Sequence, residues 1–146
     1  QIANGDYKIK PSFNAKNVFE LNEKIIENDE HLKIIHDALN VATNEWKGTS
    51  YKSRIKGDLK FCGKTGTSQV RKISARQREL DLKNKDLPWK FRDHSLFTGY
   101  GPVSKPEYAI SVIIDHGGSG SSNAAPIAQK VMKKIFELYY PKQNNA

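Results

Sequence analysis

Behind Asp29, the apolar residues Leu32, Ile35, Leu39 and Ala42 recur at three- and four-residue spacing. That is the period of a helix with one apolar face, with Asp29 as the expected N-cap. The pattern dissolves near Thr43-Asn44. Upstream, Lys8 to Phe13 alternates polar and apolar residues, but Pro11 restricts it to a short edge strand or an extended arm. Residues 17–27 are mixed and read largely as loop. After a turn-rich stretch from Trp46 to Asp58, Leu59 to Val70 reads as a strand containing Gly63 and Gly66. Glycine weakens a strand, so something is expected to approach the backbone closely there. His94–Gly101 and Tyr108–Ile114 form two further strands, and the short turn at Ser104-Lys105-Pro106 makes them a hairpin. Gly117-Gly118-Ser119-Gly120 breaks the last strand. A closing helix starts near Ser122 or Asn123 and tolerates Pro126 in its first turn. Its stripe of Ile127, Val131, Ile135 and Leu138, widened by Phe136 and Tyr139, is expected to face the core.

The order strand, helix, three strands, helix predicts an α+β fold, with one antiparallel sheet flanked by helices. At 146 residues the chain suits one domain, and 37% apolar with 27% charged residues allows a buried core. No apolar run reaches the roughly 18 residues of a membrane span. The single cysteine, Cys62, excludes an internal disulfide and argues against a thiolate metal cluster. A net charge of +8 raises the question of nucleic acid. Its distribution answers it. Between Arg71 and Arg92 stand eight Lys or Arg and three acids, so over half the excess lies in one polar excursion. That segment reads as a solvated loop, and no nucleic-acid partner is expected.

Lys64-Thr65-Gly66-Thr67 carries the chemistry. Acyl transfer through a serine needs a deprotonated nucleophile, a cation that favours anionic forms, oxyanion donors and a hold on the substrate carboxylate. A strand of this composition supplies the last three. Lys64 is a positive charge, Thr65 and Thr67 offer hydroxyls to a carboxylate, Gly66 lets an acyl-peptide lie against the strand, and the Thr67 N–H addresses an oxyanion. A Lys-Thr-Gly triplet alone is a weak signal. Its place in mid-strand, followed by a hairpin, a Gly-rich turn and a closing helix, strengthens it.

Three blocks extend the signal: Gly63 to Val70, Asp93 to Pro102, and Asp115-His116-Gly117-Gly118-Ser119-Gly120. Together they resemble successive blocks of the class B penicillin-binding proteins of the elongation type, and the similarity runs from about residue 1 to residue 140. Asn4-Gly5 with Ile9-Lys10-Pro11 resembles a helix end and the next strand in that family. The resemblance implies the C-terminal half of a β-lactamase/transpeptidase-like fold over residues 1–146, with the half that carries the nucleophile absent. The opening residues read as the end of a helix begun upstream, so a fragment or cleaved product, silent alone and prone to self-association, is expected. The parent would cross-link peptidoglycan stem peptides through an acyl-serine and bind β-lactam antibiotics covalently. It would meet cell-wall elongation proteins at the periplasmic face of the bacterial inner membrane. No metal or organic cofactor is implied. Lys64 would be the electrostatic catalytic residue, Thr65, Gly66 and Thr67 the substrate wall, and the Thr67 N–H half of the oxyanion hole. A β-lactamase-like hydrolase on the same fold and a non-catalytic basic binding module are the rival readings.

Other short matches carry less. Ser53-Arg54-Ile55-Lys56 spells Ser-x-x-Lys but sits between glycines without a helical period, so it is not taken as the nucleophile. Ser12-Phe13-Asn14 and Ser121-Ser122-Asn123 spell Ser-x-Asn and read as turn and cap residues. His94 beside Asp93 is either a proton relay or, preferably, a packed residue opening a strand. His31 and His36 lie five apart, off a shared helix face. Cys62 reads as a small buried hydrophobe, and Trp46, Trp89 and Phe91 as loop anchors.

Overall fold

The structure, a computed structural model, describes residues 3, 26, 28–72 and 84–141. The expected arm at Lys8–Phe13, the Asn4-Gly5 and Ser12-Phe13-Asn14 motifs and the middle of the basic excursion lie outside them. The chain divides into two compact units, Gln1–Ala38 and Leu39–Ala146.

The first unit holds the start of helix α1, which runs from Asp29 to Asn44. Its N-cap is Asn28 rather than Asp29: the Glu30 N–H donates to Asn28 Oδ1 at 2.8 Å. Asp29 and Glu30 then complement the helix dipole from inside the first turn. Leu32, Ile35, Leu39 and Ala42 are each half-buried, which makes the periodic stripe the inward face.

In the second unit the sheet has three antiparallel strands in the order β1 (Cys62–Ser68), β2 (His94–Gly101), β3 (Tyr108–Ile114). The β2 and β3 bounds are those expected from the sequence. Helix α2 spans Ala125–Tyr139 and is preceded by a π-helical turn, Gly120–Ala124. The core comprises Phe61, Phe97, Ala124, Ala125, Ala128, Met132 and Phe136. Phe61 and Phe97 meet with ring centroids 5.7 Å apart.

The predicted core stripe of α2 holds at Phe136 and is otherwise corrected. Ala125, Ala128, Met132 and Phe136 face the sheet, while Ile127, Val131, Leu138 and Tyr139 are exposed. Ile135 only flanks the core. The two stripes are offset by one residue, about 100° around the helix. Alanines on the inner stripe let the helix approach the sheet closely, and this preference outweighs the bulk of the aliphatic stripe. Trp46, Trp89 and Phe91 are also exposed, so none is a buried anchor. No described helix is long and apolar enough to cross a membrane.

Candidate active site

Lys64 to Thr67 occupy the middle of β1, opposite Thr98, Phe97, Leu96 and Ser95 of β2. An antiparallel strand turns its backbone groups alternately toward and away from its neighbour. Gly63 fixes the phase. Its N–H donates to Thr43 Oγ1 at 3.0 Å, and the same hydroxyl donates back to the Gly63 carbonyl at 3.2 Å. Gly63 therefore faces away from β2, and by alternation so do the N–H and C=O of Thr65 and Thr67.

Thr43 is placed by the end of α1. It is fully buried beside Ser50, whose hydroxyl donates to the Ala42 carbonyl at 3.0 Å. Asn44 extends this seal by donating to the Phe61 carbonyl at 3.0 Å. The helix end thus closes the β1 edge at Phe61 and Gly63. Beyond Gly63 it offers no backbone partner.

The two strand glycines meet different demands. A Cβ on Gly63 would strike the Thr98 carbonyl and come within 2.6 Å of the Phe97 ring. A Cβ on Gly66 would meet only the Leu96 side chain, at 3.3 and 3.9 Å, so its outer face is open. The close approach expected at Gly66 comes from behind. There the π-helical turn lies on the β1–β2 ladder, and a Cβ on Gly120 would strike the carbonyls of Gly66 and Leu96. Buried Ser95 pins that turn by donating to the Ser119 carbonyl at 2.9 Å and accepting from the Ala124 N–H at 3.1 Å. Ser121-Ser122-Asn123 forms this turn and supplies no side-chain cap to α2. Asn123 instead donates to the Gly117 carbonyl at 2.6 Å.

On the open part of β1, Lys64 is exposed and its Nζ donates to the Thr65 carbonyl at 2.8 Å. It lies 3.5 Å from Thr65 Oγ1, which is in turn 3.3 Å from Thr49 Oγ1. A cation, two threonine hydroxyls and outward backbone donors therefore share one strand edge, an arrangement suited to a carboxylate and an adjacent developing oxyanion.

Ser53 does not join them. It is buried in a 3₁₀ turn, Tyr51–Ser53, and Arg54 is already extended at φ −64° and ψ 151°, so Lys56 does not stack one helical turn above it. Cys62 is fully buried, and burial pushes its thiol up to about 11 despite a hydrogen bond with Tyr100. It is a packing residue.

His94 and Asp93 do not form a relay. Asp93 accepts from Asn84 Nδ2 at 2.8 Å. His94 instead pairs with His116, whose backbone N–H donates to His94 Nδ1 at 2.9 Å. Asp115 comes to 3.6 Å of that same nitrogen but is largely exposed, so the shorter backbone bond determines how the ring is held. His116 Nδ1 donates to the Arg92 carbonyl at 2.9 Å, and Trp89 packs edge-on against its ring at 4.4 Å. These bonds hold His116 at φ 53°, a left-handed conformation rare outside glycine. Sequence reasoning singled out His94 but missed His116, as it missed Thr43, Ser50 and Thr49. Nothing in one-dimensional spacing links those positions to β1.

The family profile described as penicillin binding protein transpeptidase domain matches residues 1–133. The chain belongs to that family. The peptidoglycan D,D-transpeptidase MrdA of Haemophilus influenzae is 36% identical over 98 residues, 67% of this chain and 15% of the relative. The Salmonella typhimurium MrdA is 32% identical over 104 residues, covering 71% and 16%. The chain thus spans about a sixth of the length of these curated relatives. Among solved structures, a complex between penicillin-binding protein PBP2 and MreC from Helicobacter pylori superposes with a TM-score of 0.67. That match has 26% identity and covers 88% of this chain and 21% of the other.

Proposed function

We propose that this chain supplies the Lys-Thr-Gly-Thr wall of a serine-type peptidoglycan D,D-transpeptidase. The observation that carries the reading is the change along the β1 edge, sealed at Gly63 by Thr43 and, among the described residues, without a backbone partner at Thr65 and Thr67. On that open edge Lys64 is the electrostatic residue. It stabilises anionic forms of the nucleophile and of the bound acyl-peptide. Thr65 and Thr67 take the carboxylate of the stem peptide or of a β-lactam, Gly66 leaves room for the acyl chain, and the Thr67 N–H is one of the two oxyanion donors.

On this reading the serine nucleophile and its lysine come from a part of the longer protein that this chain does not include. In that setting the protein works at the periplasmic face of the inner membrane and meets cell-wall elongation proteins, as the PBP2 of Helicobacter pylori meets MreC. The test is intact-mass analysis after incubation with a penicillin. The expected result is no adduct on this chain and stoichiometric labelling of a longer protein that includes the upstream region. An adduct on Ser53 would overturn the reading.

A further inference from the structure

We propose that Thr49 is a positioning residue for carboxylate recognition by Thr65, an inference that rests on the transpeptidase reading above. Thr49 belongs to the turn that follows α1, and that turn is tightly held on both sides. The Gly48 N–H donates to the Glu45 carbonyl at 2.8 Å, and the Ser50 N–H and hydroxyl both reach the Ala42 carbonyl at 3.0 Å. A Cβ on Gly48 would strike the carbonyls of Val41 and Ala42, so the turn lies flat under the helix end. Thr49 is thereby aimed at the second residue of the Lys-Thr-Gly-Thr strand, and its Oγ1 stands 3.3 Å from Thr65 Oγ1.

The chemistry follows from which groups can only donate. Lys64 Nζ, 3.5 Å from Thr65 Oγ1, has no lone pair, so Thr65 faces it as an acceptor. In the free site the Thr65 proton points to Thr49. A bound carboxylate can only accept, so the Thr65 hydroxyl turns to donate to it. Thr49 then turns its own hydroxyl to donate into the lone pair released on Thr65. Two hydroxyl rotations re-form the chain with no movement of heavy atoms. Valine at position 49 keeps the shape and removes the second partner. In the free variant water takes the place of Thr49, but the bound carboxylate excludes that water, and Thr65 then donates to substrate without the compensating bond.

The experiment uses the long protein that contains this segment, with benzylpenicillin as probe. Stopped-flow acylation separates the dissociation constant of the initial complex from the limiting acylation rate. For T49V the dissociation constant should rise about fivefold, the worth of one neutral hydrogen bond, with the limiting rate nearly unchanged. T49S, which keeps the hydroxyl, should bind like wild type. The methyl ester of the same penicillin, an uncharged and weaker acceptor, should respond less to T49V, and T49V should add nothing to T65V. An unchanged dissociation constant for T49V, failure of T49S to restore it, an equal effect on the ester, or additivity with T65V would each overturn the proposal. Absence of acylation in the wild-type long protein would instead overturn the transpeptidase reading itself.

Discussion

The two ends of β1 are built from similar small residues and face opposite requirements. At Cys62 and Gly63 every side of the strand is occupied: Thr43 on its outer edge, Phe97 over the glycine, and β2 across the ladder. From Lys64 to Ser68 the ladder to β2 continues, yet among the described residues the outer edge carries only side-chain hydroxyls and an ammonium group. A sheet edge left open invites unwanted pairing. Here α1 closes the edge up to one residue short of Lys64, which confines the opening among the described residues to the stretch proposed to bind peptide. The first half of the strand holds the second half in register.

Substitutions on the two halves should separate chemistry from stability. The largest effect is expected for Lys64→Ala in the long parent protein. Penicillin acylation should fall by roughly 100-fold or more, on the scale of removing one preorganised electrostatic group. Its thermal midpoint should barely move, because Lys64 is exposed. A large loss of stability in that variant would break the distinction between the halves.

Gly63→Ala should do the reverse. The added methyl meets the Thr98 carbonyl and the Phe97 ring, and neither can withdraw, so destabilisation of about 3 kcal/mol is expected in denaturant melts. Gly66→Ala meets only a side chain and should cost under about 1 kcal/mol of stability while impairing acylation. Equal stability losses at the two glycines would show that the outer face is not open at Gly66.

Thr43→Val sharpens the same point from the helix side. It leaves the buried N–H and C=O of Gly63 without partners and should cost about 1–3 kcal/mol, with acylation falling only as far as the fold loosens. A smaller effect is expected far from the site, where Tyr140 donates to Glu107 at 2.6 Å and ties the end of α2 to the β2–β3 hairpin. Glu107 is held below its ordinary range, first by Tyr140 and then by Lys105. Its share of stability is therefore present above the ordinary carboxylate range and lost as pH falls through the lowered value. Tyr140 is pushed up to about 12, first by Glu107. Its share is present below the ordinary tyrosine value and lost as pH rises through about 12. Tyr140→Phe should abolish the alkaline dependence and weaken the acidic one, which Lys105 still supports, while leaving acylation intact.

Much of this architecture was legible in advance because its signals are local. Glycine and proline bound the segments His94–Gly101 and Tyr108–Ile114, and the short turn between them leaves little but a hairpin. The stripe through Leu32 and Leu39 marks α1. The inner face of α2 was misread because the aliphatic stripe is the more hydrophobic one, whereas close packing on a sheet favours the alanines beside it. Gly66 was recognised as special, but the direction of approach was not. The turn that lies against its backbone comes from Gly120, more than fifty residues later.

The amino-acid sequence by itself determined the secondary elements, the strand that bears Lys64, Thr65, Gly66 and Thr67, and, through three spaced blocks, the family. Those features depend on neighbours within a few residues or on motifs read in order. Only the tertiary structure decided which edge of β1 is open, that Thr43 ends the seal at Gly63, that Thr49 stands beside Thr65, and that His94 answers to His116 rather than Asp93. Each depends on groups brought together by packing from distant parts of the chain, and hydrogen bonds between such groups leave no period in the sequence.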